Sequence, residues 1–373
     1  MTSKIENILN NLRVQIITEF KNSYSFLSGK KVFIYGSGIY GKALLKKLIE
    51  FKFVDNICAF INDFEHGFEI EGIPVKSFDE CVFSGDYCIV VAIEKQEKVV
   101  KKLKDLDLTF YAPSRKQIFL DINLFWNKQS IDNLAERIKF YHNNTKTYEK
   151  FLTNFYTDEE SKRVIQSRID FYNSGNLDYL FNYPIIHPPY FSDDYLKLSD
   201  KEVFIDCGAF IGDSVEEFVL FSKGRYKKII SFEPDTHNFA ILENVAKTNH
   251  DVEIYPYATG NNNCEVCFSE KSDVSSSVSE EGGARVRMVR LDDFIKDIPT
   301  FIKMDIEGAE LDTLKGAENL IRTYHPKLAI CIYHKVEDLY TIPTYLKSLV
   351  PEYKMKVRQH CSGIYETVLY AEV

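Results

Sequence analysis

A chain of 373 residues exceeds the size at which one hydrophobic core usually divides, so two domains with a connector are expected. Its 46 Lys+Arg against 55 Asp+Glu give a formal net charge of −9, which speaks against a phosphate backbone or an anionic bilayer as the main partner. The N-terminus lacks the pattern of a secretory signal, and no run of about 18 apolar residues occurs. The expectation is a soluble, cytoplasmic protein with no membrane span and no nucleic-acid partner.

In chain order, the first segment, Met1 to Phe20, reads as a short amphipathic helix. Lys31 to Tyr35 is an apolar strand that runs into Gly36-Ser37-Gly38-Ile39-Tyr40-Gly41, and a helix follows through Leu44, Leu45, Leu48 and Ile49. A second strand, Ile57 to Ile61, ends at Asn62-Asp63, and Tyr87 to Ile93 is a further continuous apolar run of the kind that buried parallel strands require. Strand and helix alternate, so residues 1–112 form a small α/β domain. Residues 113–200 carry apolar side chains at helical spacing, as in Ile131, Leu134 and Ile138, and read as a helical connector. It closes with the proline-stiffened run Tyr183 to Tyr190.

From residue 201 the alternation restarts. Strands are expected at Val203 to Asp206, Lys228 to Phe232, Glu253 to Tyr257, Phe301 to Met304, Leu328 to Ile332, Tyr353 to Arg358 and Thr367 to Ala371. The short loop between the last two permits only an antiparallel pair. The fold class is thus α/β, with a seven-stranded Rossmann-like domain over residues 201–373 preceded by a smaller Rossmann-like domain and the connector. The polar stretch from Ser269 to Arg287, with Ser275-Ser276-Ser277 and Glu281-Gly282-Gly283, reads as a flexible loop over the sheet edge.

The first strand of the second domain ends in Asp206-Cys207-Gly208-Ala209-Phe210-Ile211-Gly212-Asp213-Ser214. Gly208 and Gly212 let a ligand approach the main chain, while Asp206 and Asp213 would repel a pyrophosphate and suit an ammonium and a sulfonium. Glu233, about twenty residues on, can accept both ribose hydroxyls of an adenosyl group, with Asp235 beside it. Tyr257 is placed to flank adenine. The cofactor these residues predict is S-adenosylmethionine (SAM). Asp305, in Met304-Asp305-Ile306-Glu307-Gly308-Ala309-Glu310, is an acid at the sheet edge with no helix dipole to account for it.

Five ordered blocks resemble the FkbM family of SAM-dependent methyltransferases. They are Phe204 to Ser214, Phe232-Glu233-Pro234-Asp235, Val289 to Asp293, Ile302 to Glu310, and Glu366 to Ala371. The resemblance implies O-methylation, commonly of a hydroxyl on a sugar or a polyketide-type product. Such a transfer needs alignment and removal of a proton, so His334 or His360, each after a strand, is the expected base beside Asp305. A divalent cation held by Asp305, Glu307 and a histidine has no diagnostic ligand spacing behind it, and no metal is expected.

The eight cysteines read mostly as small buried hydrophobes, and Cys264 with Cys267 lacks the second pair of a zinc knuckle. The first domain, with Asn56 to Asp63 and Gly72-Ile73-Pro74-Val75, resembles the nucleotide-sugar-binding domain that precedes several bacterial sugar acyltransferases. That resemblance implies a second nucleotide site at Gly36, Gly38, Gly41 and Asp63. The acceptor is expected to be a small molecule or glycan, with a nucleotide-sugar as a further partner and the oligomeric state left open. Two other readings are an NAD-dependent nucleotide-sugar-modifying enzyme acting through Gly36 to Gly41, and a non-catalytic nucleotide-sugar-binding scaffold.

Overall fold

A computed structural model of the chain describes residues 2–54, 56–93, 96–120, 128–181, 189–192, 194–269, 277–279, 284–361 and 363–373. The chain forms two compact units, Met1–Lys139 with Asp170–Asn182, and Phe140–Ile169 with Tyr183–Val373. Residues 113–200 divide between them. The first six residues of the expected proline-stiffened run, 183–188, lie outside the described residues. Among the described residues, no helix is long and apolar enough to cross a membrane.

The first unit holds a six-stranded sheet built from β1 (Lys31–Tyr35), β2 (Ile57–Ile61), β3 (Phe68–Ile70), β4 (Ile73–Lys76), β5 (Tyr87–Val91) and β6 (Phe110–Tyr111). The order is β3-β4-β2-β1-β5-β6, parallel except for the β3/β4 hairpin. Apolar residues on both faces of β1 pack into two clusters, Val32 and Ile34 in one, Phe33 and Tyr35 in the other. This is the burial that continuous apolar strands predict.

The second unit is built on a seven-stranded sheet. Its strands are β7 (Val203–Cys207), β8 (Lys228–Phe232), β9 (Val252–Tyr255), β14 (Phe301–Met304), β15 (Lys327–Cys331), β16 (Lys354–Gln359) and β17 (Thr367–Glu372). The order β16-β17-β15-β14-β7-β8-β9 is parallel apart from β17, which runs antiparallel to both its neighbours. From β7 the chain winds outward through β8 and β9, then returns to start again at β14 on the other side. The crevice between the tips of β7 and β14 is therefore the switch point where open α/β sheets bind ligands. Phe204 on β7 stacks on Phe218 at 4.5 Å and on Phe301 of β14 at 5.1 Å, which fixes the two central strands from one face.

The expected strand Glu253 to Tyr257 breaks at Pro256, and the chain changes sheets there. Proline has no N–H to continue the ladder. A four-stranded sheet of order β10-β13-β11-β12 follows, from β10 (Tyr257–Thr259), β11 (Cys264–Ser269), β12 (Ser277–Ser279) and β13 (Ala284–Val289). The stretch read as a flexible loop from Ser269 to Arg287 thus contributes strand residues at both ends and at 277–279; Ser275-Ser276 and Glu281-Gly282-Gly283 lie outside the described residues. Cys264 and Cys267, three apart on β11, are both free thiols and point to opposite faces of the ladder.

At the base of the second sheet the fully buried Glu202 gathers three strands. It accepts hydrogen bonds from Ser199 N at 2.7 Å and from Thr300 Oγ1, and pairs with Lys327 Nζ at 2.7 Å. Burial pushes its carboxyl up, but Lys327 and Thr300 outweigh it and hold the group below the ordinary range. The resulting stability is present at neutral pH and lost on acidification through the folded-state value. Glu202→Ala is expected to cost about 2 kcal/mol in urea unfolding at pH 7, and the difference from wild type should shrink below pH 4.

Candidate active site

The loop after β7 supplies the backbone of the site. Gly208 has φ of +83°, and a Cβ there would lie 2.0 Å from the carbonyl oxygen of Asp305, so no side chain fits. Three of its residues, Gly208, Phe210 and Gly212, have positive φ. Left-handed backbone costs a bulky residue about 1–2 kcal/mol. Phe210 is held there by donating its N–H to Glu233 Oε2 at 2.8 Å.

Asp206 does not face the crevice. It is fully buried, accepts the Ser214 hydroxyl at 2.5 Å and pairs with Lys303 Nζ at 3.1 Å. Its charge is thus compensated within the protein, where a direct contact with a cofactor was expected. Lys303, on β14, also donates to the Gly208 carbonyl at 2.7 Å. Burial opposes its charge, but Asp206 and Asp305 keep the ammonium well above its ordinary pKa. Sequence reasoning passed over this lysine. A cation alone among Phe301, Ile302 and Met304 on a buried strand was the available signal.

At the tip of β8, Glu233 accepts Phe210 N and Asp235 N, both at 2.8 Å, one on each oxygen. Burial is the chief cause that raises its carboxyl to about 7. Asp235 is a helix cap, its Oδ1 accepting from His237 N and Asn238 N at 3.0 Å. Asp213 is exposed at the start of the helix Asp213–Phe221. Tyr257 stacks beside Tyr255 at 5.9 Å and lies under Arg287 at 5.0 Å, in an aromatic group with Phe294.

The tips of β14 and β15 bring together Asp305, Glu307, Glu310 and His334. Asp305 accepts the hydroxyls of Tyr190 at 2.9 Å and Tyr333 at 3.1 Å. Burial works against its charge, yet Lys303 and His334 hold its carboxyl below the ordinary range. His334 Nδ1 lies 2.8 Å from Glu310 Oε1, and Nε2 lies 3.5 Å from Asp305 Oδ1 and 3.6 Å from Glu307 Oε2. Burial disfavours the imidazolium, but Glu310, Asp305 and Glu307 together raise it to about 9. That shift favours the charged ring, paired with the surrounding carboxylates. Glu307 sits at φ +53° with its carboxyl raised to about 7, chiefly by burial. Tyr190 and Tyr333 were not foreseen.

His360 belongs elsewhere. It is fully buried, bonded through Nε2 to Tyr370 Oη at 2.7 Å and packed edge-on against Tyr195. The expectation that it acts as a base is corrected: it is a satisfied core histidine, and Tyr370 passes the contact on to Tyr190 N at 3.0 Å.

In the first unit, Gly36 packs where a Cβ would meet Ala92 O at 2.5 Å, and Gly41 where one would meet Gly36 O at 2.0 Å. Gly38 caps the helix Ile39–Glu50 with open space beside it. Asp63 accepts Tyr35 Oη at 2.6 Å, Phe78 N at 3.0 Å and Lys102 Nζ at 3.2 Å. These contacts occupy the acid that was expected to take a ribose.

Removing one partner of the Asp206–Lys303 pair leaves a buried charge. Lys303→Met is expected to destabilise the chain by about 3–5 kcal/mol, and Lys303→Met with Asp206→Leu by far less than the sum of the two single losses. A double-mutant cycle in guanidinium unfolding reads this; additive losses would mean that the two groups do not act as a pair.

Residues 206–353 match the family described as "Methyltransferase FkbM domain". The chain is 26% identical, over an alignment of 170 residues that covers 36% of this chain and 67% of that protein, to "Methyltransferase 1" of Beauveria bassiana. The crystal structure of a methyltransferase FkbM from Methylobacillus flagellatus superposes with a TM-score of 0.59 at 22% identity, over 100% of this chain and 99% of that one, and establishes the likeness of fold. The match of residues 206–353 to that domain, with the methyltransferase relative, marks the chain as a methyltransferase.

Proposed function

We propose that the chain transfers a methyl group from SAM to a hydroxyl of a sugar or glycan precursor, with cofactor at the tips of β7 and β8 and acceptor at the tips of β14 and β15. The observation that carries this reading is the contact of two loops at the switch point. The glycine turn at Gly208 touches the Asp305 backbone, so a cofactor cradle and an acid–imidazole cluster share one wall.

The residues present fit the cofactor. Each Glu233 oxygen accepts one backbone N–H and keeps a lone pair for a ribose hydroxyl. Exposed Asp213 is available to an ammonium. SAM bound there supplies a methyl carbon activated by a positive sulfur. Asp305, oriented by two tyrosine hydroxyls, and the half-buried Glu307 offer acceptor oxygens to the several hydroxyls of a sugar. As the acceptor oxygen would bond to the methyl carbon, the carbon–sulfur bond would break to leave S-adenosylhomocysteine, and the hydroxyl proton would pass to a carboxylate of this cluster. The switch-point glycine loop of the first unit, with the helix N-terminus at Gly38, is the proposed seat of a nucleotide or nucleotide-linked sugar.

Calorimetric titration of the full chain with S-adenosylhomocysteine, NAD and a UDP-sugar tests the assignment. S-adenosylhomocysteine is expected to bind, and Glu233→Ala to weaken it by about tenfold or more. Unchanged affinity in that variant, or NAD bound in its place, would sink the reading.

Because only the ionised Glu233 carboxylate accepts at both oxygens and its pKa is raised to about 7, affinity should fall as pH drops from 8 to 6. Glu233→Gln should flatten that dependence. A slope of the opposite sign, measured in the same titrations, would count against a carboxylate acting as acceptor.

A further inference from the structure

We propose that Tyr365 sets acceptor specificity: its ring is a fixed platform for the C–H face of a pyranose whose rim hydroxyls reach Asp305 and Glu307, with Arg168 and Gln359 as the residues that position it. The inference rests on the sugar-acceptor reading and names the part of that site which would sort one alcohol from another.

Strand direction brings Tyr365 to the site. β17 runs antiparallel to β15, pairing Val368 with Cys331, and Ile332 N donates to Thr367 O at 2.9 Å. The residues just before β17 therefore stand at the carboxyl tips of β15 and its parallel neighbour β14, the end of the sheet that carries Asp305. Tyr333 bridges the remaining gap: its hydroxyl donates to Asp305 at 3.1 Å, and its ring meets that of Tyr365 perpendicularly, with centroids 5.8 Å apart. Platform and carboxylate are thus separated by one phenol ring, a span close to that of a pyranose with its hydroxyls. The Tyr365 side chain is still 37% exposed there.

The backbone that carries this ring is fastened from within. An ordinary surface loop leaves many of its carbonyls to water. Here the buried Gln359 donates Nε2 to Cys361 O at 2.7 Å and to Tyr365 O at 2.6 Å. Arg168, on the helix Glu159–Ser174, is also buried and donates to Gly363 O at 2.5 Å, to Thr367 Oγ1 at 3.0 Å and to Gln359 Oε1. Taking a guanidinium out of water is costly unless its donors are satisfied, so this network favours one loop conformation over all others. The ring is therefore ordered before any ligand arrives, which spares binding the entropy loss of a mobile tyrosine. A pyranose offers two surfaces that match such a corner: a face of C–H bonds for the polarizable ring, and hydroxyls for the carboxylates. An acyclic polyol offers only the second.

The test is saturation-transfer difference NMR on the full chain, with the methyl pyranosides of glucose, galactose and mannose and the acyclic polyol sorbitol as probes. At least one pyranoside is expected to receive saturation chiefly through the ring protons of one face, and sorbitol to receive little. Tyr365→Ala should weaken the best pyranoside by about fivefold or more and erase the one-face pattern, while Tyr365→Phe, which keeps the ring, should retain both. S-adenosylhomocysteine titration of the same variants checks that each is folded. Unchanged affinity in Tyr365→Ala, equal losses in Tyr365→Phe and Tyr365→Ala, uniform saturation of the pyranoside on wild type, or sorbitol bound as well as the pyranosides would overturn the platform and leave a hydroxyl acceptor standing. The pattern on wild type decides the matter even where a variant does not fold. Pyranosides that fail to bind wild type at all would instead remove the sugar reading, and the platform with it. Each measurement is made with and without S-adenosylhomocysteine, so failure of the cofactor reading shows separately.

Discussion

The second unit is organised around one buried ammonium. Lys303 reaches from β14 to Asp206 on the neighbouring β7 and to the carbonyl of Gly208 in the loop beyond it. Three things that must agree for a site to exist at this crevice are thereby tied to one atom: the alignment of the two central strands, the turn of the glycine loop, and the charge of a buried acid. In a low-dielectric interior such a pair is seldom a net gain over a hydrophobic isostere, and its value lies in specifying one arrangement. Phe204, Phe218 and Phe301, stacked on one face, supply the apolar stability that the ion pair does not.

Around that centre the electrostatics separate into two regions. On the β8 side, Glu233 is raised by burial and bonded only to backbone amides, so it keeps capacity for neutral hydroxyl donors. On the β15 side, Asp305, Glu307 and Glu310 crowd one imidazole and favour its charged form. The excess of negative charge there favours a cationic or hydroxyl-rich visitor over a phosphate. Such a division suits a reaction that brings a sulfonium to one side and an alcohol to the other.

The strands were legible because a parallel sheet buried on both faces requires continuous apolar runs, and each expected run of the second domain appears within a residue or two. The exception, Glu253 to Tyr257, contained its own warning in Pro256. Which acids face the crevice was harder to read. Asp235 precedes Thr236-His237-Asn238 as a helix cap would, a local signal that competed with the motif. Asp206 and Asp63 lie at strand tips, where pattern cannot tell a carboxylate aimed at ligand from one consumed by a neighbouring lysine or tyrosine. His360 and His334 each follow a strand. Only the fold reveals that the first meets Tyr370 in the core and the second meets three acids.

The missing side chain at Gly208 carries a lesson for anyone who would alter the enzyme's range of acceptors. Because the turn rests directly on the Asp305 carbonyl, the two glycine-containing loops behave as one rigid seam, and diversity introduced there would mostly be lost to misfolded protein. Tyr190 and Tyr333 reach the same carboxylate through their hydroxyls while their rings pack against Phe191 and His334, so they too belong to this fixed wall.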